Sequence, residues 1–140
     1  MDTLIKTLIT FDSAQYLPPT FGKCNRLHGH TYQIKNLRVT TNKVVDFSII
    51  KDFFNKLDHI ILSPEKHKEF WESVQKLRDD TFVKTNDETL PQFRCVYLPV
   101  DEVTVEAMGN WLSGLIQEID GVEWVEFELY ETPTQGVAIE

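Results

Sequence analysis

Cysteine is scarce in this 140-residue chain: there are two, Cys24 and Cys95. Two cannot build a disulfide framework, so the expectation is a reduced, cytoplasmic chain that folds on its own core. No apolar run approaches the ~18 residues of a membrane span. The N-terminal MDTLIKTLITFDS lacks the apolar stretch of a signal peptide. Basic residues are few, 14 Lys and Arg against 22 Asp and Glu, for a net charge of -8. That balance argues against nucleic acid and anionic membranes as partners. It still permits a local basic pocket for a phosphorylated small molecule.

What is present suffices for a single domain over 1–140. The hydrophobic fraction, 41%, is ordinary. At this length about two thirds of the unfolded surface can be buried. Residues 4–11 and 28–40 have strand character. His28, His30, Tyr32 and Ile34 share one parity and so one face. Leu37 and Val39 fall on the other parity, which predicts a bulge near Asn36. Ile50, Phe53, Phe54 and Leu57 step helically over 47–57, with Asp46 as N-cap.

Ser63 followed by Pro64 predicts the start of a charged helix over 64–79. Residues 80–92 are expected to form a mobile loop, and 93–98 a short strand. Val105, Met108, Leu112, Leu115 and Ile119 mark a helix over 103–119, ended by Gly121. Residues 122–131 alternate as a strand, and 135–140 can close the sheet. The expectation is an α+β fold with an antiparallel sheet of about four strands. Its two edges favour an oligomer that covers them.

Three groups of residues suggest chemistry. In CNRLHGH (24–30), His28 and His30 at i and i+2 on a strand can reach one metal ion, with Gly29 leaving room on the opposite face. Cys24 is either a reactive thiol or an inert one. Asp58–His59, just past a helix end, can form an oriented proton-transfer pair or cap a turn. Glu131 continues the apolar parity of Val125, Phe127 and Leu129. A carboxylate at the end of a buried face needs a partner. The amino-pyrimidinone edge of a pterin or guanine would supply one; a solvated strand end is the plain alternative. Glu106 suits the first turn of its helix, and Thr104 its start.

Together these segments resemble the 6-pyruvoyltetrahydropterin synthase family, which includes the 6-carboxytetrahydropterin synthases. The matching stretches are FDSAQYL (11–17), CNRLHGHTY (24–32), VVDFSIIK (44–51), LDHIIL (57–62), VTVEAMGNWL (103–112) and YET (130–132). They occur in family order, with a lengthened insert over 63–100. The resemblance implies a T-fold, a ββααββ unit whose trimers close a β-barrel, two trimers stacking as a hexamer. It implies an intersubunit pocket for 7,8-dihydroneopterin triphosphate. There Cys24 acts as general base, and Asp58 with His59 as proton relay, His59 reaching across an interface. Thr104, Glu106 and Glu131 bind the pterin, and His28 and His30 hold zinc. The short Cys-x-x-x-His-Gly-His spacing resembles the carboxy-forming branch, which serves deazapurine synthesis for queuosine or archaeosine.

One position departs from the pattern. The family's first zinc ligand is a histidine in Phe-x-x-Ala-His; here it is Gln15. An amide oxygen is a weaker zinc ligand than imidazole. The resemblance implies a zinc-dependent carbon–oxygen lyase that forms 6-carboxytetrahydropterin or 6-pyruvoyltetrahydropterin and releases triphosphate, with zinc held less tightly through Gln15. The alternatives are a metal-poor, non-catalytic pterin- or purine-binding homologue and a dihydroneopterin aldolase-like enzyme.

Overall fold

Two 14-residue strands, β1 (Asp2–Gln15) and β2 (His28–Thr41), pair antiparallel from Asp2↔Thr41 to Gln15↔His28. A computed structural model describes residues 2–140 of the chain. The β1–β2 register holds along its whole length. The slip expected from parity falls on the other side of β2, against the later strand Val122–Thr132: Lys35 pairs with Glu128 and Arg38 with Glu126, which leaves Asn36 in a bulge. Asn36 has φ 54°, a left-handed value that asparagine tolerates better than most residues. The bulge lets Ile34 and Leu37 both face inward, and both are fully buried.

Helix α1 (Phe47–Asn55) begins at Asp46, whose carboxylate accepts from the Ser48 N–H. It buries Ile50 and Phe54, and Phe11 of β1 stacks on Phe54. The chain then forms a strand that its residue pattern does not announce, β3 (Ile60–Pro64). β3 runs parallel to β1 and to the later β4 (Cys95–Leu98). The sheet is therefore mixed, with six strands in the order β4-β3-β1-β2-β5-β6, rather than antiparallel with four. Between β3 and β4 lies α2 (Lys68–Thr85).

Two expectations for that segment are corrected. Ser63 does not cap a helix. It lies buried in β3, and a 3₁₀ turn over Glu65–His67 precedes α2. The helix also runs past residue 79 to Thr85. The Thr81 and Thr85 hydroxyls bond back to the carbonyls of Leu77 and Thr81, and Asn86 ends the helix with φ 52°. Only the stretch beyond it is irregular.

Helix α3 (Val105–Gln117) starts at Thr104, whose hydroxyl accepts from the Ala107 N–H. It packs on β5 (Val122–Thr132) and β6 (Gln135–Ile139). Met108, Leu112 and Ile116 meet Val125, Phe127 and Leu129 in the core. The opposite face of the sheet keeps Ile5, Leu8 and Trp124 about half exposed.

Candidate functional site

The ends of β1 and β2 determine one side of the site. Gln15 pairs with His28, and Ser13 with His30. Cross-strand partners point to the same face, so Gln15, His28, His30 and Tyr32 line one surface of the sheet. The His28 and His30 rings meet edge to face with centroids 4.9 Å apart, and His30 lies 5.8 Å from Tyr32. His28 Nδ1 is 2.6 Å from the Arg26 carbonyl oxygen. That contact requires a proton on Nδ1 and leaves Nε2 with its lone pair.

Glu131 approaches from β5, half-buried beyond the buried Val125, Phe127 and Leu129. Its carboxylate oxygen accepts from Gln15 Nε2 at 3.4 Å. Burial first, then the Glu131 charge, pushes the Tyr32 hydroxyl far above its ordinary value of 10.0. Glu131 thus belongs to the surface that holds both histidines.

Two buried side-chain polar atoms among the described residues have no hydrogen-bond partner: Gln15 Oε1 and the Tyr32 hydroxyl. Both belong to this surface. One is an acceptor and the other can donate. Orphaned buried polar groups are costly, and a bound group offering a donor or positive charge to one and an acceptor to the other would relieve both.

The donor set fits a divalent cation in kind. Two imidazoles and one amide oxygen supply three neutral ligands, which leaves a fourth position open. The amide is the weakest of the three.

Asp58 and His59 lie elsewhere. The Asp58 carboxylate accepts the Asp12 N–H at 2.8 Å, and His59 N–H donates to the Asp12 carbonyl at 2.6 Å. Ser13 anchors the preceding turn through the Leu57 carbonyl. His59 adopts φ 57°. Its Nε2 stands 3.7 Å from Asp58 Oδ2, too far for a hydrogen bond. The side chains of Asp12, Asp58 and His59 gather within 4.8 Å of one another. Asp12 alternates with Ser13 and Gln15 along β1, so this group occupies the opposite face of the sheet. Asp12 and His59 border a cavity of about 480 Å³, together with Gly29, His30, Thr31, Gln92 and Arg94. A Cβ at Gly29 would stand 3.9 Å from the Ser13 carbonyl, an ordinary contact, so space within the protomer does not require glycine there.

Cys24 is an exposed free thiol in the 3₁₀ segment Pro19–Asn25. Cys95 is free and half-buried, and its burial pushes the thiol up. Thr104 is half-buried and caps α3, while Glu106 is exposed on the first turn.

The structure therefore gathers Gln15, His28, His30 and Glu131, and holds Asp58–His59 apart from them within one protomer. Tyr32, Asp12 and Arg94 are absent from the sequence candidates. Tyr32 had a signal, its parity with the two histidines. Asp12 and Arg94 had none, because backbone pairing and a 36-residue excursion bring them to His59.

The curled six-stranded mixed sheet with helices makes this an α+β protein of the T-fold class. The chain belongs to the 6-pyruvoyl tetrahydropterin synthase family, whose profile matches residues 4–140. It is similar to a Pyrococcus abyssi protein provisionally named 6-carboxy-5,6,7,8-tetrahydropterin synthase, 29% identical over 132 residues, 88% of this chain and 80% of that one. The 6-carboxy-5,6,7,8-tetrahydropterin synthase of Haemophilus influenzae is 30% identical over 122 residues, 73% of this chain and 86% of its own length. The crystal structure of Plasmodium vivax 6-pyruvoyl tetrahydropterin synthase superposes with TM-score 0.59 at 22% identity, covering 99% of this chain and 98% of that one. No helix among the described residues is long and apolar enough to cross a membrane.

Proposed function

We propose that this chain is a pterin-processing lyase acting on 7,8-dihydroneopterin triphosphate. Its product would be 6-carboxytetrahydropterin, with triphosphate and acetaldehyde released and water consumed. The observation that carries the reading is the surface shared by His28, His30, Gln15, Tyr32 and Glu131, which holds both orphaned polar atoms. Its curated relatives of the carboxy-forming type support the same branch.

Glu131 would accept the amino-pyrimidinone edge of the pterin as a bidentate carboxylate. Thr104 and Glu106 would line the same pocket. His28, His30 and Gln15 would hold zinc. When bound, that ion supplies Lewis acidity beside the substrate's side-chain oxygens. Cys24, as thiolate, would remove a carbon-bound proton. Asp58 and His59 would carry protons to and from the side-chain oxygens. Since they lie on the opposite sheet face, a neighbouring subunit would present them.

That requirement makes the working form a homo-oligomer, a hexamer of two trimers in the cytoplasm. Half-exposed Ile5, Leu8 and Trp124 and the two edge strands β4 and β6 support an assembled form.

Purified, zinc-supplemented protein incubated with 7,8-dihydroneopterin triphosphate should release triphosphate, and Cys24→Ala should lose most of that release. No release with any added divalent metal would reject the lyase. Gln15 favours a second reading, a metal-poor pterin-binding homologue. That reading expects pterin binding, substoichiometric zinc and no product.

A further inference from the structure

We infer that Gln15 couples the cation site to the pterin anchor, so that each ligand tightens the other through one planar amide. The inference rests on the proposed pterin site and adds a role that a lone ligand would not have.

The amide is fixed in one sense. Its Nε2 lies 3.4 Å from a Glu131 carboxylate oxygen. Turned over, it would set its carbonyl oxygen against the carboxylate, acceptor to acceptor. The N–H₂ therefore faces Glu131, and Oε1 is left as the buried atom without a partner. Gln15 is 2% exposed, so water does not freely take that place. Its cross-strand neighbour is His28, whose Nε2 keeps its lone pair. The acceptor end thus belongs with the imidazoles, and the donor end with the anchor.

The chemistry of an amide joins the two ends. A cation at Oε1 draws density from the nitrogen and makes its N–H a stronger donor, as in any polarised hydrogen-bond chain. The stronger donor holds the Glu131 carboxylate in place. A carboxylate has about four acceptor positions, so the others remain free for the two donors of a pterin edge. Anchor and cation therefore reinforce each other, and linkage makes the effect reciprocal.

The test uses Zn²⁺ and unsubstituted pterin, which carries the recognition edge but no side chain to reach the cation. Pterin fluorescence is titrated with full-length protein, metal-stripped and zinc-saturated. Zinc should tighten pterin binding at least about fivefold, and pterin should tighten zinc by the same factor. In Gln15→Ala, pterin should still bind and the factor should fall below about twofold. If that variant fails to fold, Gln15→Met, of similar length but without the amide, replaces it. Independently, Glu131→Ala should weaken zinc about tenfold, as loss of a group that orients a ligand does. Binding of both probes with no coupling, a factor unchanged in Gln15→Ala, or unchanged zinc affinity in Glu131→Ala overturns the coupling and leaves the proposed function intact. Failure of the native chain to bind pterin at all overturns both.

Discussion

Gln15 and Glu131 meet across β2: a side-chain amide of the first strand donates to a carboxylate 116 residues later, at 3.4 Å. The contact joins the two sides of the histidine-bearing surface. It also places a neutral amide where the resemblance implies a metal-binding histidine.

Gln15→Ala removes this amide, but Gln15→His asks what imidazole would do in its place. A third imidazole beside His28 should raise zinc affinity by about 10–100-fold, judged from how strongly metal sites respond to changes in their ligand surroundings. Competition against a chromogenic chelator measures it. An unchanged affinity would mean that another group already completes the coordination.

Tyr32→Phe removes a buried hydroxyl that has no partner. At pH 7 the change should be neutral or stabilising, within about 1 kcal/mol. Above pH 10 the two proteins should diverge. The folded hydroxyl holds its proton above the ordinary value of 10.0, so the unfolded chain loses that proton first. Stability then falls as pH rises past 10, and the variant should lack that share of the fall. Tyr97, pushed up to about 12 chiefly by burial, contributes a remaining slope. Urea denaturation at pH 7 and at stepped alkaline pH checks both signs.

Tyr16→Phe tests how the insert is fastened. The Tyr16 hydroxyl accepts from Trp71 Nε1 at 2.9 Å and contacts Ser63 Oγ at 3.0 Å and His67 Nδ1 at 2.8 Å. Removing it strands the indole N–H and should cost about 1–3 kcal/mol in chemical denaturation. No measurable loss would show that this network does not anchor α2.

Thr104→Ala should lower stability by about 0.5–2 kcal/mol through loss of the α3 cap, and Thr104→Ser should restore most of it. Equal stability of all three proteins would contradict the capping role of Thr104 Oγ1.

The sequence showed its local features and hid its long-range ones. Asn36 revealed its bulge because parity must slip somewhere between Ile34 and Leu37. Asp46 and Thr104 were legible as caps because a cap acts within three residues. The strand Ile60–Pro64 was not, since a short buried apolar run lacks a distinguishing period and its partner Cys95 lies 34 positions beyond Ile61. Ser63–Pro64 imitates a helix start, yet Ser63 is held in the sheet next to Tyr16. The alternation of β2 and β5 put the histidines and Glu131 on inward faces. The Gln15–Glu131 contact needs the curl of three strands, which no spacing encodes. Likewise, the opposite placement of Asp58–His59 follows from the pairing of β3 with β1.

The most direct test of the site is a titration of unsubstituted pterin against the native protein and Glu131→Ala, each zinc-saturated and checked for folding. A carboxylate that accepts two donors from the ligand should make the variant at least tenfold weaker, about 1.4 kcal/mol or more. Equal affinity of the two proteins would contradict the assignment of this surface as the pterin site.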